Sequence, residues 1–306
     1  MSLALVTGAT GIVGRYIADS LLELGESVRI VTRRSPKPWH AHLEIVKGDL
    51  RDGKVIERSL RGIDSVYHCA SELTNQEHIW ETNVLVTERL LEALPPTVKY
   101  FCYMGSAGVL GTFKTEWADE TTPCIPHNLY VKSKLEAEKI VLSSSLDANV
   151  CALRPVQMIS PKHPGCVSFA VRNGWKDRLM VWVKGREHAH IIHAGDVAAT
   201  AIHFRNRDLP QPECFIVACD EDELNTVGGI YAYYNDTDAK NKEDSEIFLP
   251  ASLPASIPHF IRAFRRGPSW HLGIRFSSRK LHEYGVQLPF GFRGAIDDIR
   301  SHWNSR

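Results

Sequence analysis

The chain has 306 residues, of which 43% are hydrophobic and 24% charged, and its 36 basic side chains balance 36 acidic ones. This composition is typical of a globular protein, either one large α/β domain or a nucleotide domain with a smaller cap. The balanced charge provides no overall basic field, which argues against nucleic acid or an anionic membrane as a partner. No apolar run reaches the length of a membrane span, and the first one has no basic segment before it, which predicts a strand rather than a signal peptide.

The seven cysteines form an odd set without a C-x-x-C pair, and several stand in apolar runs. Secreted proteins use cysteines mainly in disulfide pairs, whereas cytosolic proteins keep them reduced. The pattern therefore predicts reduced, buried cysteines and a cytoplasmic location.

A strand, a glycine turn and a helix open the chain. The apolar residues 3–6 lead into three glycines spaced G-x-x-G-x-x-G, and an amphipathic helical pattern follows. Gly8 permits the sharp turn, Gly11 lets the backbone approach a pyrophosphate, and Gly14 allows the helix to pack on the sheet. The free N–H groups and positive dipole end of the helix favour a bound diphosphate. The segment therefore predicts nucleotide binding.

Two arginines follow the second predicted strand, residues 27–32. This strand end contacts the adenosine ribose in dinucleotide-binding folds, where an acidic residue would select NAD through the 2′-hydroxyl. Arg33 and Arg34 stand there instead, and two guanidinium groups suit a 2′-phosphate. The sequence therefore favours NADP(H), with NAD possible, and a solvated pair of loop arginines is the alternative.

The third and fourth predicted strands, residues 43–46 and 65–68, end in residues that could border the same nucleotide. Asp49 is placed to reach the adenine, or to cap the helix near residues 55–60. Three small residues follow the fourth strand, namely Cys69, Ala70 and Ser71. They would let the cofactor pass close to the backbone. A helix over residues 80–91 and a fifth strand over residues 100–104 continue the alternation, which predicts an α/β fold with a parallel, doubly wound Rossmann-type sheet.

Three polar residues could perform chemistry at the carboxyl edge of this sheet. Ser106 follows the fifth strand in a glycine-rich loop, where its hydroxyl could donate to a substrate oxygen, although such a serine is often only a turn residue. Tyr130 and Lys134 are four residues apart in a helix-forming stretch and share a face. A phenol with an ordinary pKa of about 10 exchanges protons poorly near pH 7. A nearby ammonium group would favour its anion.

Together these motifs resemble the extended short-chain dehydrogenase/reductases. The resemblance rests, in chain order, on Thr7 to Gly14, Asp49-Leu50, His68 to Ala70, Asn83, Ser106, Tyr130, Lys134, Leu153 to Pro155 and Ile191 to Ala198. It covers most of the chain and implies a catalytic triad of Ser106, Tyr130 and Lys134. It also implies a homodimer that pairs through the Tyr130 helix.

The resemblance implies a mechanism and a set of cofactor-binding residues. The expected cofactor-binding residues are Gly8, Thr10, Gly11, Ile12, Gly14, Arg33, Arg34, Asp49, Leu50, Cys69, Ala70, Ser71, Asn83, Tyr130 and Lys134. Tyr130 would exchange a proton with the substrate oxygen while the nicotinamide exchanges a hydride at the same carbon. Ser106 would orient that oxygen, and Lys134 would also hold the nicotinamide ribose. Asn83 would help to fix the scaffold.

The second half of the chain is less regular. We expect residues 1–155 to form the Rossmann domain and 156–306 mainly a substrate-binding cap, with 188–218 returning to the sheet. Residues 157–165 have loop composition. Four large apolar residues could line a pocket or form the core of the cap, namely Phe169, Trp175, Met180 and Trp182.

The substrate is the least determined feature. Relatives that act on nucleotide sugars place an asparagine and an arginine where this chain has Gln157 and Ala189, and only Arg186 could substitute as a diphosphate anchor. We therefore favour an NADP(H)-dependent oxidoreductase that acts on a secondary alcohol or ketone. The alternatives are a nucleotide-sugar 4-epimerase or dehydratase with bound NAD, and a non-catalytic NADP-sensing protein.

Several charged or polar groups complete the second half. His188, His190 and His193 form an H-x-H-x-x-H pattern, but in a strand the first two would face away from the third, so no metal site is expected. Asp196 is predicted to cap an apolar helix. The acidic stretches 220–223 and 236–246 are expected to be solvated. Three later arginines could bind an anionic substrate tail or form a solvated helix face, namely Arg262, Arg265 and Arg266.

Overall fold

The computed structural model describes residues 2–111, 116–236, 239–241, 246–254 and 274–304. The three arginines predicted to bind an anionic tail or to be solvated, Arg262, Arg265 and Arg266, lie outside the described residues.

A seven-stranded parallel sheet forms the centre of the fold. In chain order, the strands of the structure are β1 (Leu3–Thr7), β2 (Ser27–Thr32), β3 (Leu43–Lys47), β4 (Ser65–His68), β5 (Tyr100–Met104), β6 (Trp117–Ala118), β7 (Asn149–Pro155), β8 (Gln157–Ile159), β9 (Ile191–His193), β10 (Glu213–Val217) and β11 (Arg275–Phe276). The sheet has the order β10-β7-β5-β4-β1-β2-β3, and two small pairs, β6 with β11 and β8 with β9, lie outside it. This order confirms the predicted Rossmann-type α/β fold.

Helices cover both faces of this sheet. They are α1 (Ile12–Glu23), α2 (Gly53–Leu60), α3 (Gln76–Trp80), α4 (Val86–Glu92), α5 (Leu129–Leu142), α6 (Ser168–Arg172), α7 (Trp175–Lys184), α8 (Ala194–His203), α9 (Val227–Asn235), α10 (Arg279–Glu283) and α11 (Gly291–Asn304). Successive residues of β1 face opposite layers: Val6 packs in the cluster that contains α1 and α8, and Leu5 in the one that contains α2, α4 and α5. The continuous apolar strands are therefore buried on both sides.

The order of the strands places a ligand-binding edge at the start of the chain. From β1 the sheet extends through β2 and β3 in one direction and through β4 and β5 in the other. In open α/β sheets, ligands bind at the carboxyl ends of the strands where the order reverses in this way. Gly8 and Cys69 directly follow β1 and β4, so both lie at this edge.

The second half differs from the sequence expectations in two places. Residues 157–165 are not only loop, because β8 pairs in parallel with β9, with Met158 opposite Ile192. A strand of three residues has too weak a local signal to be recognised without its partner. On α7, Trp175 and Trp182 are 73% and 46% exposed, so they neither line a closed pocket nor form the core of the cap. Phe169 is buried in the core.

The three histidines of the H-x-H-x-x-H pattern do not share one strand. His190 has a φ of 50°, in the left-handed region, so the extended backbone assumed for residues 188–193 is wrong. His190 Nδ1 lies 2.5 Å from Asp220 Oδ2. His193 Nε2 lies 3.1 Å from Asp298 Oδ2, on a different element. Asp220 is fully buried, which corrects the expectation that it is solvated.

Asp196 does not cap α8, in contrast to the prediction. The N-cap is His193, whose Nδ1 accepts the N–H of Gly195. Asp196 lies inside the first turn, fully buried, and its two carboxyl oxygens accept the N–H groups of Phe290 and Gly291 at 2.7 and 3.0 Å. It therefore joins α8 to the start of α11. Burial outweighs these two bonds and raises the pKa of Asp196 to about 6.

This shifted pKa predicts a stability that decreases with rising pH. Because the folded pKa lies above the ordinary value of 3.8, the contribution of protonated Asp196 is fully present below that value and is lost as the pH rises through about 6. The loss should be on the order of 2–3 kcal/mol in the free energy of unfolding. Denaturant unfolding of the protein and of Asp196→Asn between pH 4 and pH 7 measures this difference. Equal pH dependence in both proteins would contradict the prediction.

Within the part of the chain that the structure describes, none of the helices combines the length and hydrophobicity that a membrane span requires. The same residues hold no group of three or more His, Cys, Asp or Glu side chains arranged for a metal ion. All of the cysteines are free thiols; Cys102, Cys151 and Cys219 are buried, and the other four are half-buried.

Candidate active site

The glycine turn brings the ends of β1 and β4 into close contact. Gly8 has a φ of 67°, and a Cβ on this residue would lie 2.7 Å from the backbone nitrogen of Ala70. The N–H of Gly11 donates to the carbonyl of Gly8 at 2.9 Å and closes the turn. A Cβ on Gly14 would lie 2.5 Å from the carbonyl oxygen of Gly8. Gly8 and Gly14 are therefore required by close backbone packing, which presents the start of α1 at the sheet edge.

A cavity of about 480 Å³ opens at this edge. Its walls contain nearly all of the predicted cofactor-binding residues, namely Gly8, Thr10, Gly11, Ile12, Gly14, Arg33, Arg34, Asp49, Leu50, Cys69, Ala70, Ser71, Tyr130 and Lys134. The structure thus brings together residues that follow β1, β2, β3 and β4 with two side chains of α5, up to 126 residues apart in the chain. The volume is in the range of small-molecule and cofactor sites. Asn83 and Ser106 are not among the lining residues.

Three arginines lie at one end of this cavity. Arg33 and Arg34 are exposed at the end of β2, and Arg51 follows β3. Asp49 is not a helix cap, since Asp52 caps α2; its carboxylate instead accepts bonds from the backbone and guanidinium of Arg51. The hydrogen bonds from Arg51 lower the pKa of Asp49 despite its partial burial. Asp49 is thus a fixed negative charge at this end of the cavity.

A buried histidine holds the small residues after β4 in place. The hydroxyl of Thr87 donates to the carbonyl of Asn83 at 2.7 Å, so His68 must donate from Nε2 to Thr87, 3.0 Å away. His68 Nδ1 then accepts the Thr7 hydroxyl at 2.8 Å, and Thr7 Oγ1 accepts the N–H of Ala70 at 3.1 Å. Burial lowers the pKa of His68 to about 3, so the ring is neutral. This chain of bonds fixes the wall of the cavity at Ala70.

Asn83 is a scaffold residue in this structure. It lies in a π-helical turn, Glu81–Leu85, between α3 and α4, where the sequence predicted one continuous helix. Its amide oxygen accepts the N–H of Glu72 at 2.7 Å, and its amide nitrogen donates to Ser133 Oγ at 2.9 Å. Ser133 Oγ donates to the carbonyl of Tyr130 at 2.7 Å. Asn83 therefore ties the loop after β4 to the first turn of α5, without reaching the cavity.

Tyr130 and Lys134 occupy adjacent turns of α5 and both line the cavity. Lys134 is only 2% exposed, and its ammonium nitrogen lies 4.6 Å from the centre of the Tyr103 ring. Burial lowers the pKa of Lys134 to about 8, although Cys69 and Glu138 act in the opposite direction. Burial also raises the pKa of Tyr130, and the neighbouring Ser71 hydroxyl partly offsets this effect. The two groups that the sequence assigned to proton transfer thus share a desolvated wall.

Ser106 follows β5 as expected, but its side chain does not line the cavity. It caps a short 3-10 turn, Ala107–Leu110, and its hydroxyl oxygen accepts the N–H of Gly108 at 3.2 Å. The preceding residue, Gly105, lines the cavity, but Ser106 does not. Serines after a strand commonly form such turns, so a serine at this place in the sequence fits either a turn residue or a donor to the substrate oxygen.

A second cavity, of about 410 Å³, lies in the second half of the chain. Arg186, His188, Glu223 and Arg275 provide its charged or titratable lining side chains. The Arg275 Nε group donates to His188 Nε2 at 3.2 Å, and its guanidinium carbon lies 5.3 Å from the centre of the Trp117 ring. Gln157 and Ala189, which stand where nucleotide-sugar enzymes have their anchors, line neither cavity.

Sequence reasoning missed several residues of the first cavity. Arg51, His78, Thr82 and Met158 line it and were not predicted. Arg51 directly follows the predicted Asp49-Leu50 pair, so its charge at a strand end was a usable signal. Met158 belongs to β8, which was not recognised as a strand, and its position depends on the pairing with β9.

A family model and several curated proteins match the sequence of this chain. A model of the family described as "NAD dependent epimerase/dehydratase family" matches residues 4–218. A 3 beta-hydroxysteroid dehydrogenase/Delta 5-->4-isomerase of Mycobacterium tuberculosis is 34% identical over 168 residues, which are 49% of this chain and 45% of that protein. Sterol demethylase protein B of Methylococcus capsulatus is 27% identical over 195 residues, 59% of this chain and 60% of that protein. The chain spans about half the length of the curated relatives it matches.

Solved structures show the same fold over the whole chain. The Thermus thermophilus UDP-glucose 4-epimerase in complex with NAD superposes with a TM-score of 0.71 and 22% identity, and 99% of each chain is covered. MoeE5 in complex with UDP-glucose and NAD gives a TM-score of 0.72 at 20% identity, covering 100% of this chain and 99% of that one. These similarities extend the agreement in fold beyond the residues that match the family model.

Proposed function

The chain belongs to the NAD dependent epimerase/dehydratase family, and we propose that it is an NADP(H)-dependent oxidoreductase acting on a secondary alcohol or ketone. Membership confirms the resemblance to the extended short-chain dehydrogenase/reductases and places the chain among NAD(P)-dependent enzymes. In this proposal residues 1–155 hold the cofactor and residues 156–306 supply most of the cap around a small-molecule substrate.

Two features of the first cavity fit a dinucleotide. The start of α1 lines the cavity next to the glycine turn, so its backbone N–H groups are available to a diphosphate. The buried hydroxyl of Ser71 has no hydrogen-bond partner among the described residues, so a bound ligand can complete its bonding. Tyr130 and Lys134 stand beside it in the same wall.

The choice of NADP(H) rests on one observation. The side chains that follow β2 in the cavity wall are Arg33 and Arg34, both exposed and without a hydrogen bond from their guanidinium groups to any described residue. A carboxylate at this strand end would bind the 2′-hydroxyl of NAD, whereas guanidinium groups bind a 2′-phosphate through charge-assisted hydrogen bonds.

The protein's own groups account for the proton transfer. The nicotinamide, when bound, donates or accepts the hydride. In the direction of reduction, Tyr130 donates its phenolic proton to the substrate oxygen, and Lys134 stabilises the negative charge left on the phenol. The Ser106 hydroxyl oxygen accepts the N–H of Gly108, which leaves its O–H free to donate, but Ser106 does not line the cavity and reaches the substrate oxygen only if its side chain or loop moves.

Replacing both arginines tests the cofactor assignment. We expect Arg33→Ala with Arg34→Ala to raise the Kd for NADP(H) about 10- to 100-fold, because hydrogen bonds to a charged group contribute about 1.5–3 kcal/mol, and to leave the Kd for NAD(H) nearly unchanged. Titration calorimetry measures both constants. Arg279→Ala removes an exposed arginine paired with Glu283 outside the cavity and serves as the control. Tighter binding of NAD(H) than NADP(H) by the unmodified protein would overturn the assignment.

Mass spectrometry of the denatured protein separates a dissociable cofactor from a permanently bound one. An empty protein whose melting temperature rises mainly with NADP(H) supports the oxidoreductase, and a panel of ketones and aldehydes then follows. NAD that copurifies and resists dialysis favours an epimerase or dehydratase, which regenerates its cofactor in each cycle.

A nucleotide-sugar 4-epimerase or dehydratase is the second candidate function. The second cavity supports it, because Arg186 and Arg275 line one space of suitable size for an anionic group. MoeE5 and the Thermotoga maritima epimerase, which share the fold, were crystallised with UDP-glucose. A rise in melting temperature with UDP- or dTDP-sugars, lost in Arg275→Ala, would favour this function.

We also propose a homodimer that pairs through α5, which sedimentation analysis tests.

A further inference from the structure

The hydroxyl of Ser71 is a buried polar atom in the wall of the first cavity. Ser71 stands three residues after the end of β4, and its Oγ makes no hydrogen bond to any described residue. A buried hydroxyl without a partner costs free energy, so such groups in native proteins usually bind a water molecule or an ion or have a catalytic role. The backbone on either side of Ser71 is satisfied, since the N–H groups of Ala70 and Glu72 donate to Thr7 and Asn83. Only the side-chain hydroxyl of Ser71 is therefore left without a partner.

Ser71 lies next to Tyr130, the residue assigned to proton transfer. Both line the cavity with Lys134. The side chain of Ser71 is close enough to Tyr130 to lower the pKa of the phenol, although the two hydroxyls do not meet the geometry of a hydrogen bond in the structure. The other titratable groups around this wall are Tyr103 on β5, Cys69 after β4 and Lys134 on α5 itself.

Lys134 alone does not offset the burial of Tyr130. Its ammonium group lies over the ring of Tyr103, and it interacts electrostatically with Cys69, Glu138 and His68, whereas burial and Ser71 are what shift the pKa of Tyr130. Burial dominates the pKa of Tyr130 and raises it. A donor that hydrogen-bonds the phenolate is therefore needed for this residue to exchange protons near neutral pH.

Ser106 does not provide that donor in the observed geometry. Ser106 does not line the cavity that contains Tyr130, and its hydroxyl oxygen accepts the N–H of Gly108 within its own turn. The serine expected from the sequence thus faces its own turn, while Ser71, which was expected only to border the cofactor, faces the phenol.

We propose that Ser71 is a positioning residue that donates a hydrogen bond to the hydroxyl oxygen of Tyr130 as the phenol loses its proton. The bond forms between two groups that already share the cavity wall, and the Ser71 hydroxyl is buried without a hydrogen-bond partner among the described residues. A hydrogen bond to an ionised oxygen is shorter and stronger than one to a neutral oxygen, so it stabilises the phenolate more than the phenol. The proposal rests on the proposed role of Tyr130 in proton transfer.

The titration of Tyr130 itself tests this role without a substrate. The protein is labelled with tyrosine carrying carbon-13 next to the hydroxyl, the signal of Tyr130 is assigned with Tyr130→Phe, and the signal is followed against pH with NADP(H) present. We expect Ser71→Ala to raise the pKa of Tyr130 and to lower its phenolate fraction about tenfold at a fixed pH below that pKa. Ser71→Thr, which keeps the hydroxyl, should restore the original titration.

Two control variants make the result specific. Ser65 on β4 also has a buried hydroxyl without a partner among the described residues, but it lies at the opposite end of the strand, so Ser65→Ala should not change the titration. Ser106→Ala should not change it either. An unchanged titration in a folded Ser71→Ala protein, or a shift in Ser106→Ala instead, would overturn the proposal. Failure of NADP(H) to bind would refute the proposed function and would be visible separately in the calorimetry.

Discussion

Tyr130→Phe is expected to lower kcat about 10²- to 10⁴-fold while changing the Kd for NADP(H) by less than about threefold. The substitution keeps the ring that packs in the cavity wall and removes only the proton that the substrate oxygen would receive. In the proposed function, cofactor binding relies mainly on groups at the glycine turn and after β2, so it should persist. Steady-state turnover with a substrate found in the ketone and aldehyde panel, together with titration calorimetry for the cofactor, measures both quantities.

A second tyrosine provides the matched control. Tyr231 donates its hydroxyl to Asn173 at 2.6 Å and lies outside the first cavity, so Tyr231→Phe removes a hydroxyl without touching the proposed chemistry. We expect kcat to remain within about twofold of the unmodified enzyme in this variant. Equal turnover in Tyr130→Phe and the unmodified protein would refute the role of Tyr130 in proton transfer. An absence of turnover in both proteins would favour the alternative of a non-catalytic NADP-sensing protein.

The parts of the site that could be read from the sequence are those set by the parallel sheet. Each strand end carries its residues to the same edge, so Gly8, Arg33 and Ser71 line one cavity although each follows a different strand. The predicted bounds of β2, β4 and β5 coincide with the observed ones because continuous apolar runs have little freedom in a sheet covered on both faces. The pairing of Tyr130 with Lys134 required only the helical repeat.

The parts that could not be read depend on partners distant in the sequence. Asp196 was placed by local capping chemistry, but its carboxyl oxygens bind backbone groups 94 and 95 residues away. The left-handed backbone of His190 breaks the alternation assumed for the histidine pattern. The π-helical turn at Asn83 leaves the apolar spacing nearly unchanged, so a continuous helix fitted the same residues.

The side chain of Ser106 shows a second kind of limit. Its position after β5 could be read from the sequence, because that strand was predicted with the correct bounds. The direction of its hydroxyl could not be read from the sequence, because the χ1 rotamer determines whether the hydroxyl lies near the N–H of Gly108 or points towards the cavity. Motifs of this kind predict where a residue lies more reliably than what its side chain contacts.

Glu138→Ala is expected to reduce the free energy of unfolding by about 3–5 kcal/mol, the largest stability effect we predict. Glu138 on α5 is 2% exposed and Arg154 on β7 is 7% exposed, and Arg154 Nη2 lies 2.6 Å from Glu138 Oε1. Burial opposes the charge on Arg154, but the hydrogen bonds that Arg154 donates to Glu138 outweigh this effect and raise the pKa of Arg154. Removing the carboxylate would therefore leave a buried guanidinium without its counter-charge. Denaturant unfolding monitored by circular dichroism measures the change.

The same reasoning predicts that removing both charges is far less harmful than removing one. Arg154 Nη1 is already buried without a hydrogen-bond partner among the described residues, so the pair itself is incompletely satisfied. Glu138→Leu combined with Arg154→Met should recover most of the stability lost in Glu138→Ala, because apolar side chains of similar volume carry no desolvation penalty. Asp147→Ala, which breaks the exposed pair with Lys99, should leave stability nearly unchanged. If the double variant is as unstable as Glu138→Ala, packing around α5 rather than charge pairing explains the loss.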